Sequence, residues 1–360
     1  MIIPVQLGAR AYSIVVESGA LATVGARLRD LGVGTRAALI SDDAIMRLYG
    51  KAVGDNLRAA GFTVTVVEVP EGEGAKTLEV AARCWEALLA GGLDRSSTVL
   101  ALGGGAVGDL AGFVAATYMR GMNFVQLPTT VLAQVDASIG GKTAIDHPLA
   151  KNLIGAFYQP RLVITDPAVV QTLPEREFRS GLAEIVKHGV VLDAAYFEEL
   201  ERETPALLAR ELAVLERIIG GSCRLKASVV ERDEREADLR AVLNYGHTIG
   251  HALEAASGYA TYTHGEAVSL GMAAEARLAR RLGLAEAETV ARQERLLAAV
   301  GLPIRMTPLD PDTVLAAMRR DKKGRDGRLP FVLAPVIGSF QLVDHVTDDD
   351  VRAILAEIAA

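Results

Sequence analysis

The stretch STVLALGGGAVGDLAGFVAATYMRG, residues 97–121, decides the fold class of this chain. It begins as an apolar strand, continues as a run of glycines and ends as a helical segment. Gly103, Gly105 and Gly108 satisfy the pattern G-x-G-x-x-G at this strand-to-helix turn, where missing side chains let backbone amides approach a pyrophosphate. The same glycines would also suit a tight turn that serves only close packing. The pattern alone leaves both interpretations open.

The glycine loop departs from the usual dinucleotide-binding fingerprint. That fingerprint follows the first strand of the fold, and an acidic residue about twenty positions further on binds the ribose. Here other strands precede the loop, and the next acid after Asp109 is Asp136. A ribose-binding acid must therefore come from elsewhere. Asp42, which follows the predicted strand RAALIS (36–41), is placed as such an acid would be.

Strands and helices alternate on both sides of the glycine loop. The clearest strands are the β-branched or apolar runs at residues 36–41, 63–69, 97–102 and 161–166. Apolar residues at three- and four-residue spacing separate them, which is typical of amphipathic helices. The alternation predicts an α/β N-terminal domain over residues 1–177, with a largely parallel sheet covered by helices.

The composition changes after residue 177. Ala, Leu, Glu and Arg dominate with long helical periodicity, which predicts an all-α C-terminal domain over residues 178–360. The run RLPFVLAPVIGSFQLV (328–343) predicts a small hairpin or return strand near its end.

Bulk composition excludes several classes of protein. The net charge of −7 is spread along the chain without a basic run, which argues against nucleic-acid binding. Two cysteines in 360 residues offer neither a disulfide framework nor a cysteine-based zinc site. No stretch reads as a secretion signal or a membrane span. We expect a soluble cytoplasmic protein that binds neither nucleic acid nor membrane.

Histidines are rare and concentrated in one part of the sequence. Of the six in the chain, His247 and His251 share one helical face in LNYGHTIGHALE (243–254), and His264 follows at the start of another predicted helix. Neutral imidazole is the commonest metal ligand, and Glu184 offers a carboxylate to complete an open shell. The spacing therefore suggests a divalent-metal site, although histidines that cap helices or line a packed interface would show the same pattern.

A polar string without strand or helix alternation follows the glycine stretch. Lysines on glycine-bearing loops suit phosphate or carboxylate recognition, although any single lysine would equally suit a solvated surface. The polar residues of this string are Thr129, Thr130, Asp136, Lys142, Lys151 and Asn152, and further candidate anion donors are Arg240, Asn244, Lys322 and Lys323.

Six motifs in this order resemble 3-dehydroquinate synthase, a family of sugar phosphate cyclases, over nearly the whole chain. They are GGGAVGDLAGFVAATYMRG (103–121), QLPTTVLAQVDASIGGKTAID (126–146), KNLIGAFYQP (151–160), GLAEIVKHG (181–189), LNYGHTIGHALE (243–254) and HGEAVSLGM (264–272). The resemblance implies a Rossmann-like α/β N-terminal domain, an all-α C-terminal domain, and an active site in the cleft between them. It also implies a homodimer, NAD, and a divalent metal that is usually zinc, with cobalt as an alternative.

The resemblance also assigns residues by motif. It implies that Glu184, His247 and His264 bind the metal and that His251 lies near the substrate phosphate, whereas helical spacing alone keeps His251 open as a ligand. The implied NAD contacts are Asp42, Glu73, Lys76, Gly104, Gly105, Asp109, Thr129, Thr130, Lys142, Lys151 and Thr172. The implied substrate contacts are Asp136, Lys142, Lys151, Asn152, Lys187, Lys226, Arg240, Asn244, His251 and one of Lys322 or Lys323. Arg120 would reach the phosphate in the neighbouring subunit.

The implied reaction converts 3-deoxy-D-arabino-heptulosonate 7-phosphate into 3-dehydroquinate and phosphate. It runs through transient oxidation by NAD, phosphate elimination, re-reduction and an intramolecular aldol closure, on the shikimate route. A sister cyclase making an inosose or valiolone-type product, a metal-dependent polyol dehydrogenase and a catalytically inactive binding protein are the alternatives. The pair Lys151 and Asn152 favours the heptulosonate, as do Lys226 and Arg240, which the resemblance directs at a carboxylate. The intact set Glu184, His247, His264 and Lys142 argues against an inactive protein.

Overall fold

The computed structural model of the protein describes residues 1–321 and 330–359. These residues divide into two compact units. The first, Met1–Leu173 with Leu215–Arg235, is called the sheet unit, and the second, Pro174–Val214 with Glu236–Ala360, is called the helical unit. Lys322 and Lys323, one of which is predicted to contact substrate, lie outside the described residues.

The sheet unit is built on a seven-stranded sheet with the strand order β1-β2-β9-β6-β5-β3-β4. β1 and β2 pair antiparallel, and the other neighbours pair parallel. The strands of the sheet unit are β1 (Ile2–Val5), β2 (Tyr12–Val16), β3 (Arg36–Asp42), β4 (Thr63–Val69), β5 (Thr98–Gly103), β6 (Asn123–Pro128), β7 (Lys142–His147), β8 (Ala150–Phe157) and β9 (Leu162–Thr165). β7 and β8 form a separate antiparallel hairpin.

Helices cover the sheet and make up most of the helical unit. In chain order they are α1 (Val24–Asp30), α2 (Asp43–Ile45), α3 (Lys51–Ala59), α4 (Leu78–Ala90), α5 (Gly105–Thr117), α6 (Glu175–Leu192), α7 (Ala194–Leu208), α8 (Leu212–Arg232), α9 (His247–Ala256), α10 (His264–Arg281), α11 (Ala287–Ala299), α12 (Pro311–Asp321) and α13 (Asp348–Ile358). None of the helices in the described part of the chain is both long and apolar enough to span a bilayer.

The two faces of the sheet bury alternate residues of the same strands. In β3, Ala37 and Leu39 belong to a core with α1 and α3, and Ala38 and Ile40 belong to another core with α4 and α5. Side chains of a strand point to opposite faces in turn, so a strand covered on both faces is apolar throughout. This is why β3 and β5 are buried almost throughout and are near-continuous apolar runs rather than alternating ones.

The helical unit has its own apolar core. Ile249 and Leu253 of α9 pack there with Leu270 of α10, Met318 of α12 and Phe331. Phe331 belongs to β10 (Phe331–Leu333), which pairs antiparallel with β11 (Gln341–Val343).

The predicted fold class is confirmed, with one qualification. β3, β4, β5 and β9 coincide with the predicted strands within a residue or two, and the glycine stretch is a strand, a turn and a helix as expected. The β10–β11 hairpin matches the strand-like run predicted near the end of the chain. The helical domain therefore carries a small antiparallel element and is not purely helical.

The predicted domains, 1–177 and 178–360, are continuous in sequence, and the two units are not. Most of α8 lies in the sheet unit, where the thiol of Cys223 donates to the carbonyl of Gln134 at 3.2 Å. Helical periodicity predicts that residues 212–232 form a helix, but it carries no information about which sheet or helices that helix packs against.

Candidate active site

Glu184, His247 and His264 meet in the helical unit. Glu184 lies in α6, and the two histidines are the first residues of α9 and α10. The Nε2 atoms of His247 and His264 lie 3.4 and 3.7 Å from Oε1 of Glu184. One ligand atom from each residue lies within 4.8 Å of the others, so the three groups could hold a single metal ion.

Glycines next to the two histidines set this spacing. A Cβ atom on Gly265 would lie 1.8 Å from the backbone oxygen of Ser180, so α10 meets α6 backbone to backbone. Gly246 precedes His247 with a φ of +79°, and a Cβ atom there would lie 2.8 Å from a backbone oxygen of α10. Only glycine combines a left-handed backbone with such close approach. The helices that carry the ligands are therefore fixed by contacts that any side chain would prevent.

The Glu184 carboxylate is fully buried without hydrogen-bond partners, which favours binding of a cation. Its side chain is fully buried, and neither oxygen accepts a hydrogen bond, although the ammonium of Lys187 forms an ion pair with Oε2. Burial raises the pKa of Glu184, but Lys187, His247 and His264 together hold it well below its usual range. A buried, ionised carboxylate without hydrogen bonds is costly, and a bound divalent cation would satisfy it.

The two histidines differ in protonation. Burial and the Lys187 charge hold the pKa of His247 well below its usual range, so this imidazole is neutral. Burial also lowers the pKa of His264, but its contacts with Glu184 and Glu254 outweigh burial and raise the pKa to about 10. His264 therefore carries a proton when no cation is bound, and a divalent metal would replace that proton.

His251 lies near this cluster but also in a second group of potential ligands. Its ring centroid is 5.1 Å from that of His247 and 5.9 Å from that of His264. His251, Glu254 and His264 also offer ligand atoms within 4.8 Å of one another. The assignment of His251 to substrate rather than to metal remains a prediction.

Other predicted substrate residues of the helical unit surround the same helices. Lys187 is buried in α6 and donates from Nζ to the carbonyl of Leu243 at 2.7 Å. Arg240 is 2% exposed, and Asn244 is partly buried at the end of the segment Leu239–Asn244. The structure thus provides two buried cations and an amide in the unit that contains the metal cluster.

The glycine loop of the sheet unit ends β5 and begins α5. Gly104 adopts an extended conformation before the helix, and no side chain caps the helix N-terminus. A Cβ atom on Gly108 would lie 2.8 Å from Oε1 of Gln126, so this glycine is needed for close packing against β6. The packing interpretation therefore holds at Gly108. The pyrophosphate interpretation of Gly104 and Gly105, which begin a helix without a side-chain cap, stays a prediction.

Lys76 is the centre of a polar cluster beside this loop. It is only 2% exposed, and its Nζ lies 2.9 Å from Oδ2 of Asp109 and 3.8 Å from Oδ1 of Asp146. It also donates to Oδ1 of Asn152. Burial lowers the pKa of Lys76, but its carboxylate neighbours outweigh burial and raise it. Burial raises the pKa of Asp109 to about 6 despite the ion pair with Lys76.

Lys151 and Lys226 form ion pairs with other predicted site residues. Nζ of Lys151 lies 3.6 Å from Oε2 of Glu73. Lys226 of α8 donates to the backbone oxygen of Asp136 at 2.8 Å and forms an ion pair with its carboxylate. Lys151 and Lys226 therefore each form an ion pair with a carboxylate that is also a predicted site residue, Glu73 and Asp136 respectively.

Most of the other predicted cofactor residues form hydrogen bonds with nearby residues of the sheet unit. Asp42 accepts from the backbone N–H of Ile45 as the cap of α2, and the Thr172 hydroxyl lies 2.6 Å from that of Tyr49. Thr130 accepts from the backbone N–H of Ala133 at 3.1 Å. Thr129, which is buried, begins the loop after β6. Lys142 begins β7 and is exposed.

Arg120 occupies an unusual backbone conformation. Met119 and Arg120 have φ values of 50° and 64°, and Gly121 follows with a φ of 116°. Two consecutive non-glycine residues in the left-handed region are strained. The role of Arg120 in the neighbouring subunit stays a prediction.

Sequence reasoning missed the residues that orient the histidines. The carbonyl of Tyr245 lies 3.1 Å from Nδ1 of His247, and Oε2 of Glu254 lies 3.6 Å from Nδ1 of His264. Metal-binding histidines usually have such a partner on the other ring nitrogen.

Comparisons with known proteins identify the family of this chain. Residues 66–180 match the family model described as 3-dehydroquinate synthase N-terminal, and residues 181–324 match 3-dehydroquinate synthase C-terminal. The chain is 48% identical over 356 residues to 3-dehydroquinate synthase of Desulforamulus reducens, covering 99% of both chains.

Solved structures of sister cyclases have the same fold. The chain superimposes on ValA, a 2-epi-5-epi-valiolone synthase from Streptomyces hygroscopicus with NAD⁺ and Zn²⁺ bound, with a TM-score of 0.89, 29% identity and 96% coverage of both chains. For 2-deoxy-scyllo-inosose synthase complexed with carbaglucose-6-phosphate, NAD⁺ and Co²⁺, the TM-score is 0.86, with 26% identity and 99% coverage of both. Identity to these cyclases is well below that to the dehydroquinate synthase relative. The chain therefore belongs to the 3-dehydroquinate synthase family.

Proposed function

We propose that the protein converts 3-deoxy-D-arabino-heptulosonate 7-phosphate into 3-dehydroquinate and phosphate, an early step in making aromatic amino acids. Full-length similarity to a named 3-dehydroquinate synthase supports this substrate over those of the sister cyclases. The single structural observation that carries the proposal is the buried Glu184 carboxylate, which lacks hydrogen bonds and faces Nε2 of both His247 and His264.

The cofactors proposed are NAD and a divalent metal, zinc or cobalt. Glu184, His247 and His264 would hold the metal, and the backbone amides after Gly104, which no side chain caps, would receive the NAD pyrophosphate. When bound, NAD supplies reversible hydride chemistry that side chains cannot perform, and the metal supplies Lewis acidity. Solved structures of two sister cyclases with these cofactors support the assignment.

The chain's own residues would bind and orient the substrate. Arg240 and Lys226 are buried cations, 2% and 4% exposed, and such cations suit a carboxylate or phosphate that is removed from water. Lys142, Asn152, Asn244 and His251 are the proposed phosphate contacts. Asp136, Lys151 and Lys187 would hold the sugar hydroxyl groups in one conformation, so that much of the rate gain would come from orientation and preset charge.

Homodimerisation belongs to the same proposal, and Arg120 would act in the neighbouring subunit. All eight residues of β8 are exposed, and Leu153 and Phe157 among them are 67% and 45% exposed. Large apolar side chains on an exposed strand favour association with another chain. Light scattering after size exclusion would test this, with Leu153→Glu expected to shift the protein towards the monomer.

A cytoplasmic location is proposed as well. Cys84 and Cys223 are both unpaired and buried, which fits a reducing compartment. Cell fractionation with an antibody against the protein would test the location, and recovery from a membrane or secreted fraction would contradict it.

The decisive experiment measures phosphate release from 3-deoxy-D-arabino-heptulosonate 7-phosphate. The assay is run with and without NAD, and before and after chelator treatment, while absorbance reports net NADH. Release that needs both NAD and metal, with no accumulation of NADH, is the expected result. Accumulating NADH would indicate a polyol dehydrogenase, and release only from other sugar phosphates would indicate a sister cyclase.

A further inference from the structure

One peptide unit, between Tyr245 and Gly246, joins two hydrogen bonds behind the metal cluster. Its N–H, from Gly246, donates to Oε2 of Glu275 at 2.6 Å. Its C=O, from Tyr245, lies 3.1 Å from Nδ1 of His247. The N–H and C=O of a planar trans peptide point in opposite directions. Glu275 and His247 are therefore linked in series through a rigid unit.

This series of bonds fixes the protonation of the His247 ring. A carbonyl oxygen can only accept a hydrogen bond, so Nδ1 must carry the ring proton. In the neutral ring Nε2 then has a free lone pair, and Nε2 is the atom that lies 3.4 Å from Oε1 of Glu184. The peptide unit thus selects the tautomer that a metal requires.

Close packing holds the Gly246 end of the peptide unit. A Cβ atom on Gly246 would lie 2.8 Å from the backbone oxygen of Val268 and 3.1 Å from the backbone nitrogen of Met272, so α10 packs directly against the Cα atom of this glycine. Glu275 lies on the same helix and is fully buried. A carboxyl group is rarely buried without a hydrogen-bond partner, because leaving water is costly. The N–H of the turn is such a partner for Glu275.

We infer that Glu275 is a positioning residue for His247, acting through the Tyr245–Gly246 peptide unit on the orientation and basicity of Nε2. Metal-binding histidines commonly donate directly to a carboxylate or a carbonyl. Here the carboxyl group of Glu275 lies one peptide further back, and its hydrogen bond to the N–H polarises the peptide unit and strengthens the carbonyl as an acceptor. The inference rests on the proposed metal site at His247.

The test measures the zinc dissociation constant of purified full-length protein by competition with a chelator. Glu275→Leu introduces an apolar side chain of similar size and removes the hydrogen-bond acceptor. It should weaken zinc binding about 10–100-fold, as loss of an outer partner of a metal ligand usually does. Glu275→Gln keeps an oxygen acceptor and should stay within about threefold of wild type, because most of the geometry survives.

Tyr245→Phe is the matched control for a general loss of stability that is not specific to His247. It removes the buried hydrogen bond from the Tyr245 hydroxyl to Oε1 of Gln293, at 2.5 Å, and leaves the backbone unit unchanged. At a similar loss of melting temperature in the metal-free protein, Tyr245→Phe should keep the wild-type zinc affinity. Equal weakening by Tyr245→Phe and Glu275→Leu, or wild-type affinity in Glu275→Leu, would overturn the inference.

A second measurement does not depend on the folding of any variant or on metal binding. Long-range ¹H–¹⁵N correlation spectra of the metal-free wild-type protein report which nitrogen of His247 carries the proton. A proton on Nδ1 is expected, and a proton on Nε2 would refute the inference. Zinc affinity that His247→Ala leaves unchanged would instead contradict the proposed metal site, and this spectrum would still show whether the Tyr245 carbonyl selects the tautomer, which is the link through which Glu275 is inferred to act.

Discussion

The metal cluster of the helical unit and the Lys76 cluster of the sheet unit solve the problem of buried charge differently. Around Glu184, the carboxylate has no hydrogen bond, and backbone contacts at glycines hold its neighbours. Around Lys76, side chains from three segments satisfy the ammonium, with Asp109 at 2.9 Å. In the first arrangement the carboxylate charge is balanced by Lys187 and by the proton on His264, and a divalent cation can replace that proton. The second is complete by itself, so a ligand there must join existing ion pairs or break them.

The strongest test of this contrast is His264→Ala. Loss of a metal ligand should reduce turnover by about 10³-fold or more, since a Lewis-acid metal contributes several kcal/mol to transition-state stabilisation. Phosphate release and zinc content by elemental analysis check this. His345→Ala is the matched control, because His345 is 71% exposed in the same unit. Full activity with tightly bound zinc would remove His264 from the ligand set.

The converse test in the sheet unit is Lys76→Met. It leaves Asp109 and Asp146 without their buried cation, and breaking a buried pair in this way costs about 3–5 kcal/mol. Urea denaturation should show that loss, while zinc affinity stays at the wild-type value. If zinc affinity fell in parallel, the two clusters would be coupled and the contrast between them would fail.

A glycine substitution tests whether backbone contact sets the metal geometry. Gly265→Ala places a methyl group 1.8 Å from the Ser180 oxygen and should cost about 1–3 kcal/mol of unfolding free energy by overpacking. It should also weaken zinc binding, because α6 and α10 carry Glu184 and His264. In Gly74→Ala the added atom meets only Pro70 at 3.8 Å, so this control should change neither quantity.

The smallest expected effect concerns pH. Burial raises the pKa of Asp109 to about 6, above its usual 3.8, so between these values the folded protein holds a proton that the unfolded chain has lost. The unfolding free energy should therefore fall by about 1–3 kcal/mol as pH rises from 4 to 6, at about 1.4 kcal/mol per pKa unit.

Asp109→Asn removes this titration, and its unfolding free energy serves as the reference at each pH. The difference between wild type and variant should shrink or change sign across the window, as followed by urea denaturation. A difference that does not vary with pH would mean that Asp109 keeps its ordinary pKa.

The sequence predicts an element correctly where the apolar pattern of that one segment is sufficient to identify it as a strand or a helix. β3, β4 and β5 are apolar enough to be read directly, and α9 is visible from its own periodicity. β8 was missed because all its residues are exposed, so no buried face marks it as a strand. β1 was missed because it is only four residues long and contains a proline.

The candidate site shows the same division. The resemblance supplied Glu184, His247 and His264, and the structure brings these three side chains together. No local pattern connects Glu275 to His247, because that link exists only once α9 and α10 are packed. The spacing of His247 and His251 is compatible with two ligand groups, and helical periodicity has no means of choosing between them.

The membership of α8 in the sheet unit has a consequence for biosynthesis. The chain enters the helical unit at Pro174, returns to the sheet unit for Leu215–Arg235 and leaves it again. A ribosome therefore releases most of the sheet unit well before the helix that carries Lys226 and its contact to Asp136. During synthesis the sheet unit therefore lacks α8 until some forty residues of the other unit have been made. A truncation after residue 177 would lack this helix permanently.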